Sequence, residues 1–154
     1  MASFLDRVSL DLIGPRMFKG NTHYILVIID TATRFLVTRV IQSKEAQVIT
    51  DAFAQGFVAY FGVPRQVYVD NGSEFEGAFA AFITKVLRVD IVKSPPYVPR
   101  SNGINESSHK ALESQIAKIN ADSPNDSYEL LVALATYTHN ATPHAATGLA
   151  PMTP

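Results

Sequence analysis

Apolar and polar positions alternate through Arg7–Ile13, with Val8, Leu10 and Leu12 set against Arg7, Ser9 and Asp11. A period of two is that of a half-buried strand, and Gly14-Pro15 is expected to stop it. Tyr24–Ile29 is an unbroken apolar, β-branched run and so a buried strand. Phe35–Ile41 follows the turn-like Asp30–Arg34 as a third strand, and the short connections predict an antiparallel meander. Beyond it the period lengthens. Lys44–Phe61 sets Val48, Ala52, Phe53 and Phe57 on one side of a helix that Gly62-Val63-Pro64 ends. Gln66–Val69 is a short strand closing on Asp70-Asn71-Gly72, Glu76–Leu87 a helix and Asp90–Lys93 a last strand. Ser94–Gly103 reads as a loop rich in Pro, Ser and Gly, and helices over Ile104–Ala121 and Asp126–Asn140 complete the chain. Strand–helix–strand units in the second half favour parallel pairing. The pattern predicts one α/β domain over residues 1–154. Its mixed sheet has five strands, three antiparallel and then two parallel, flanked by helices.

Composition narrows this only in part. The chain has 154 residues, 47% apolar and 18% charged, an ordinary globular balance with room for one sizeable core. No apolar run approaches the ~18 residues of a membrane-spanning helix, so no membrane partner is expected. Met1-Ala2-Ser3 lacks the pattern of a signal peptide. There is no cysteine, which excludes disulfides and thiolate metal sites. The formal net charge is −1, whereas free-standing nucleic-acid binders usually carry a basic excess. Any grip on nucleic acid therefore needs a local basic patch or additional basic domains. The four histidines show no zinc spacing, and the glycines form no phosphate-cradling motif.

Three acids stand out. Asp11 lies inside an apolar strand, where an ionised carboxylate is costly without a partner such as a metal or Arg7. Asp70 ends the strand Val67–Val69, and ligands of open α/β sheets gather beyond such ends; Asp-Asn-Gly is equally a good turn. On a helix, Asn102, Glu106, Lys110, Glu113 and Ala117 share one face, opposite Ile104, Ala111, Leu112, Ile116 and Ile119. A solvated Glu106–Lys110 pair explains those charges as well as a site does. Taken together, the three carboxylates suit Mg²⁺, which binds a few carboxylates plus water and phosphate oxygens. Two such ions activate an attacking oxygen and stabilise a leaving one at phosphorus. In the loop before Glu106, Tyr97 is placed to stack on a base and Arg100 to meet phosphate. Asn102 also suits a helix cap. Glu74, four residues beyond Asp70, is assigned to the turn and the following helix start. His109 borders the candidate site, while His139 and His144 flank a turn and serve packing.

At these residues the chain resembles the integrase catalytic core of retroviruses and LTR retrotransposons, most closely the gypsy-type elements. The resemblance rests on Ser9-Leu10-Asp11-Leu12-Ile13-Gly14-Pro15, Tyr24–Asp30, Gly62-Val63-Pro64, Val69-Asp70-Asn71-Gly72-Ser73-Glu74-Phe75, Tyr97–Glu106, Asn140-Ala141-Thr142-Pro143-His144 and Thr147-Gly148. Thirty-five residues separate Asp70 from Glu106, the family's spacing. The resemblance implies a ribonuclease H-like fold and two divalent ions, Mg²⁺ or Mn²⁺, held by Asp11, Asp70 and Glu106. It implies trimming of element DNA ends by water, then attack of the new 3′-hydroxyls on target DNA. It places Tyr97, Asn102, His109 and Lys110 near the element's DNA end. It further implies homodimers or larger assemblies acting on chromosomal DNA in the nucleus. Two features depart from the family: Val98-Pro99-Arg100 replaces the usual His-Pro-Gln, and Glu113 replaces a common basic residue. The zinc-binding N-terminal and basic C-terminal domains of the family are not expected in this chain. Two alternatives remain: a domesticated binding or dimerising module without activity, and a ribonuclease H-like nuclease using Glu74 as a fourth acid. Insertion-sequence transposases, which share the acids, are a near neighbour.

Overall fold

In the computed structural model of the chain, residues 4–70, 72–93, 99–124, 126–143 and 148–152 are described, with 99–106 described as backbone only. Five strands form one sheet: β1 (Arg7–Phe18), β2 (Asn21–Asp30), β3 (Leu36–Ile41), β4 (Gln66–Val69) and β5 (Asp90–Lys93). Their spatial order is β3-β2-β1-β4-β5. β1–β2 and β2–β3 pair antiparallel, β1–β4 and β4–β5 parallel, as the pattern predicts. Four helical segments cover the sheet: α1 (residues 46–61), α2 (residues 78–86), α3 (Pro99–Asp122) and α4 (Tyr128–Ala141). α1 and α2 each contain one π-helical turn, Ala54–Val58 and Phe82–Val86.

The sheet is the middle of three layers, which explains the two kinds of strand pattern. On one face Val8, Leu10, Leu26 and Ile28 pack with Ile49, Phe53 and Phe57 of α1 and with Phe75, Phe79 and Ile83. Phe53 stacks on Phe57 at 5.3 Å and meets Phe79 edge-on at 5.9 Å, the arrangements favoured by ring quadrupoles. On the other face Ile13, Ile25, Val27 and Ile29 pack with Leu112 and Ile116 of α3 and Leu131, Val132 and Ala135 of α4. β2 is buried on both sides from Ile25 to Asp30, hence its unbroken apolar run.

Two expectations need correction. Gly14-Pro15 does not stop β1: the strand runs on to Phe18 past a register shift between Ile13 and Arg16. A bulge lets a strand absorb residues that would otherwise break the ladder. Nor is the expected loop Ser94–Gly103 loop to its end, because α3 already begins at Pro99, while residues 94–98 lie outside the described residues. Proline is well suited to a first helical position, where no intrahelical N–H bond is required of it. Asn102 therefore lies inside the first turns rather than at a cap. Within α3 the buried stripe is Ser108, Leu112 and Ile116, and Ala111 is exposed.

The edge strand β3 is clamped by α4. Asn140, buried, accepts from the Leu36 N–H at 2.8 Å and donates to the Leu36 carbonyl at 2.9 Å. His139 Nε2 meets the Arg34 carbonyl at 2.7 Å, and Thr136 meets Thr38 at 2.7 Å. His139 thus has the packing role expected of it, while His144 lies outside the described residues. Ser127 caps α4 by accepting from the Leu130 N–H. Asn140→Ala should destabilise the domain by about 2–4 kcal/mol, since it strands two buried backbone groups. Urea unfolding monitored by circular dichroism measures this, and a loss below ~1 kcal/mol would show that the clamp is dispensable.

Candidate active site

The alternation of β1 settles which way Asp11 faces. Val8 and Leu10 belong to the α1 side, and Ile13 to the α3–α4 side. With side chains alternating, Asp11 shares the face of Ile13. It pairs across to Val27 on β2, in the middle of the sheet. Its carboxylate is mostly enclosed, 23% exposed.

Asp70 arrives through the parallel ladder. β1 and β4 are in register as Arg7↔Gln66, Val8↔Val67 and Ser9↔Tyr68. The same offset carried two residues further sets Asp11 level with Asp70, one strand away, at the carboxyl end of β4. Asp70 is exposed and its Oδ1 accepts from the Gly72 N–H at 2.8 Å, an Asx turn. The turn is anchored by Phe75, which is buried against Phe79 at 5.5 Å. The turn reading of Asp70 is met by its hydrogen bond from the Gly72 N–H.

Glu74 joins them in a way its place in the sequence did not suggest. Its carboxylate lies over Gly72, where a Cβ would stand only 2.6 Å from Oε1. From there its charge, like that of Asp70, acts on Asp11. Gly72 is therefore required for the carboxylate to fold back so closely.

α3 supplies the facing wall. His109 Nε2 lies 3.4 Å from Asp11 Oδ2, within ion-pair range but without completing a hydrogen bond, and it is buried with no other partner among the described residues. Glu106 precedes His109 by one turn of the same helix, so the backbone at 106 is close to the acids. The side chains of Arg100, Asn102 and Glu106, and all of Tyr97, lie outside the described residues. Lys110 is exposed. Among the described residues no three His, Asp or Glu side chains group closely enough to hold a metal ion. Arg7 is not the partner of Asp11. Four residues of extended strand separate the two by about 13 Å, and Arg7 is exposed at the far end of β1. Glu113, the residue in place of a basic one, forms a two-pronged pair with Arg16, Nε to Oε1 at 2.6 Å and Nη2 to Oε2 at 3.2 Å.

The electrostatics follow from this crowding. Burial raises the Asp11 carboxyl above its ordinary range. His109 and the Leu12 N–H, which donates to Oδ1 at 2.8 Å, pull it back, while Asp70 and Glu74 push it further up. Asp11 and Asp70, each with one oxygen held by a backbone N–H, offer the hard oxygen donors that a divalent cation such as Mg²⁺ takes, though the described side chains do not by themselves close around an ion.

The integrase core domain family matches residues 6–99, a stretch holding Asp11 and Asp70. The Retrovirus-related Pol polyprotein from transposon 412 of Drosophila melanogaster is 28% identical over 113 residues, 72% of this chain and 9% of that protein. The chain thus spans about a tenth of the length of the curated relatives it matches. The HTLV-2 integrase catalytic core domain in complex with magnesium, in its trimeric form, superposes with a TM-score of 0.79 at 18% identity, covering 95% of this chain and 93% of that one. The catalytic core domain of BIV integrase gives 0.77 at 22% identity, covering 96% and 91%. At such identities the superpositions speak for the fold.

An acid whose folded-state value is raised opposes folding when ionised. The cost is absent below the unfolded value near 3.8 and is complete once pH has risen through the folded one. Asp11→Asn keeps the Leu12 bond and removes the charge. At pH 7 it should raise the Tm of the metal-free domain above that of the wild type, and the gain should vanish near pH 3.5. Thermal melts at both pH values check this, and an unchanged or lowered Tm at pH 7 contradicts it.

Proposed function

The chain belongs to the integrase core domain family and has its ribonuclease H-like fold, and from that premise we propose that it is the catalytic centre of a DNA integrase. The reactions are hydrolytic trimming of an element's DNA ends and direct attack of the resulting 3′-hydroxyls on target DNA. What supports this reading is the parallel register of β1 and β4, whose offset at Ser9↔Tyr68, carried on two residues, sets Asp11 level with Asp70, together with the His109–Asp11 contact from α3 one turn after position 106.

Asp11 and Asp70 would hold one divalent ion, and Asp11 and Glu106 a second. Bound there, such a pair would activate the attacking oxygen and stabilise the leaving one. The chain itself contributes position. The Leu12 N–H fixes one oxygen of Asp11, the Gly72 N–H fixes one of Asp70, and His109 closes over the other Asp11 oxygen. No side chain needs to act as nucleophile, because both steps are displacements at phosphorus by water or a DNA hydroxyl. Tyr97, Arg100, Asn102 and Lys110 would border the DNA end on the same side. The place of action is the nucleus, and the working form an assembly of several copies, in keeping with the trimeric HTLV-2 core. Glu74 supports a second reading, a nuclease with a fourth carboxylate, since its charge reaches Asp11.

Incubation with Mn²⁺ and a branched DNA substrate separates these. Asp70→Asn should reduce strand joining by more than about 100-fold, beyond the effect of an outer-sphere metal partner. Its Tm should hardly move, because Asp70 is exposed. Hydrolysis without joining would favour the nuclease. Neither reaction in the wild type, even with flanking domains restored, would leave a non-catalytic binding module.

A further inference from the structure

The starting ends of the parallel strands carry a feature the acid site does not use. Arg7, Gln66 and Asp90 form one row across β1, β4 and β5. Beside this row a cavity of about 410 Å³ is lined by Arg7, Arg65 and Arg88, with Val63, Leu87 and Asp90 among its other walls. Three arginines and one acid, Asp90, are among its lining residues, on a chain whose formal net charge is −1. All three arginines are exposed. Arg65 has a 3.7 Å contact with Asp6, and neither Arg7 nor Arg88 has an ion-pair partner among the described residues. Arg88 sits at φ 57°, a left-handed conformation that side chains other than Gly and Asn adopt at a cost. The cost is accepted where the loop turns into β5, and it sets an arginine at the cavity.

We propose that this cleft binds the phosphodiester backbone of duplex DNA, at a segment separate from the one that reacts. Guanidinium forks match phosphate oxygens in pairs, and the cavity is roomy enough for a phosphate with part of its flanking sugars. The identification of the anion as DNA rests on the integrase reading. Away from the carboxylates of the reacting end, local positive potential at the cleft adds attraction for phosphate that the net charge of −1 does not reveal. The cleft lies at the start of β1, about 13 Å along the strand from Asp11, so the backbone it holds is not the one at the acids.

The test is binding of a short labelled duplex by the 154-residue chain across a salt series. Replacing Arg7, Arg65 and Arg88 together by Gln should weaken binding by more than about tenfold and lower the salt slope by ~2–3, since each neutralised phosphate contributes ~0.9. Lys19→Gln/Lys44→Gln/Lys118→Gln, with the same loss of charge at exposed positions, should change both far less. Thermal melts confirm that the exposed substitutions leave the fold intact. Equal effects of the two triple variants, an unchanged slope, or no duplex binding by the wild type at low salt would each overturn the proposal. So would arginine Nε–H NMR signals that respond to inorganic phosphate but not to duplex. If the wild type joins strands yet the arginine variant binds normally, the cleft alone is wrong. If binding needs the arginines yet Asp70→Asn joins strands normally, the integrase reading alone is wrong.

Discussion

β1 is hydrogen-bonded along both edges, antiparallel to β2 and parallel to β4, and its side chains divide between two cores. Val8 and Leu10 enter the layer of Phe53 and Phe79, and Ile13 enters that of Leu112 and Ile116. Slipping the strand by one residue would exchange the two sets. Asp11 would then be driven into the aromatic layer, where an ionised carboxylate has no partner. Apolar packing therefore holds the charge in place. The same packing positions α3, because Leu112 and Ile116 rest on the cluster that contains Ile13. His109 reaches Asp11 from that helix, and Glu106 is one turn earlier.

What the sequence revealed and what it withheld differ in range. Strand positions were legible because burial imposes a period of two on β1 and an apolar run on β2. Local punctuation was less dependable. Gly14-Pro15 carries every mark of a stop, yet β2 continues to pair beyond it, from Arg16↔His23 to Phe18↔Asn21. Pairing across the hairpin outweighs the local preference. Pro99 was read as loop because its neighbours are Pro, Ser and Gly, although a helix can begin on proline. The π turns in α1 and α2 have no signature in spacing.

The site was legible in part for the same reason. That Asp11 lies in a strand and Asp70 at a strand's end follows from the pattern. Their alignment does not, because the offset between β1 and β4 is a choice of partners far apart in sequence. Arg7 seemed a possible partner of Asp11 from sequence proximity and shares its parity on the strand. Extension of the strand rules it out, and His109, nearly a hundred residues away in sequence, takes the place. Glu74 was assigned to a turn and belongs to one. Only the fold shows that Gly72 lets that turn lay the carboxylate back toward Asp11.

A formal charge of −1 conceals a separation of charge along the parallel strands. Asp70 stands at the carboxyl end of β4 beside Asp11 and Glu74, while Arg7, Arg65 and Arg88 gather where the strands begin. Net charge governs long-range repulsion, but contact is governed by local potential. On the integrase reading the acid end repels a phosphate until cations neutralise it, which makes metal and DNA binding there mutually dependent. Burial also raises the Asp11 carboxyl above its ordinary range, a cost that a bound cation would offset. The separation then has a physical logic: one end of the sheet attracts the polymer, and the other admits it only with the ions that would carry out the chemistry.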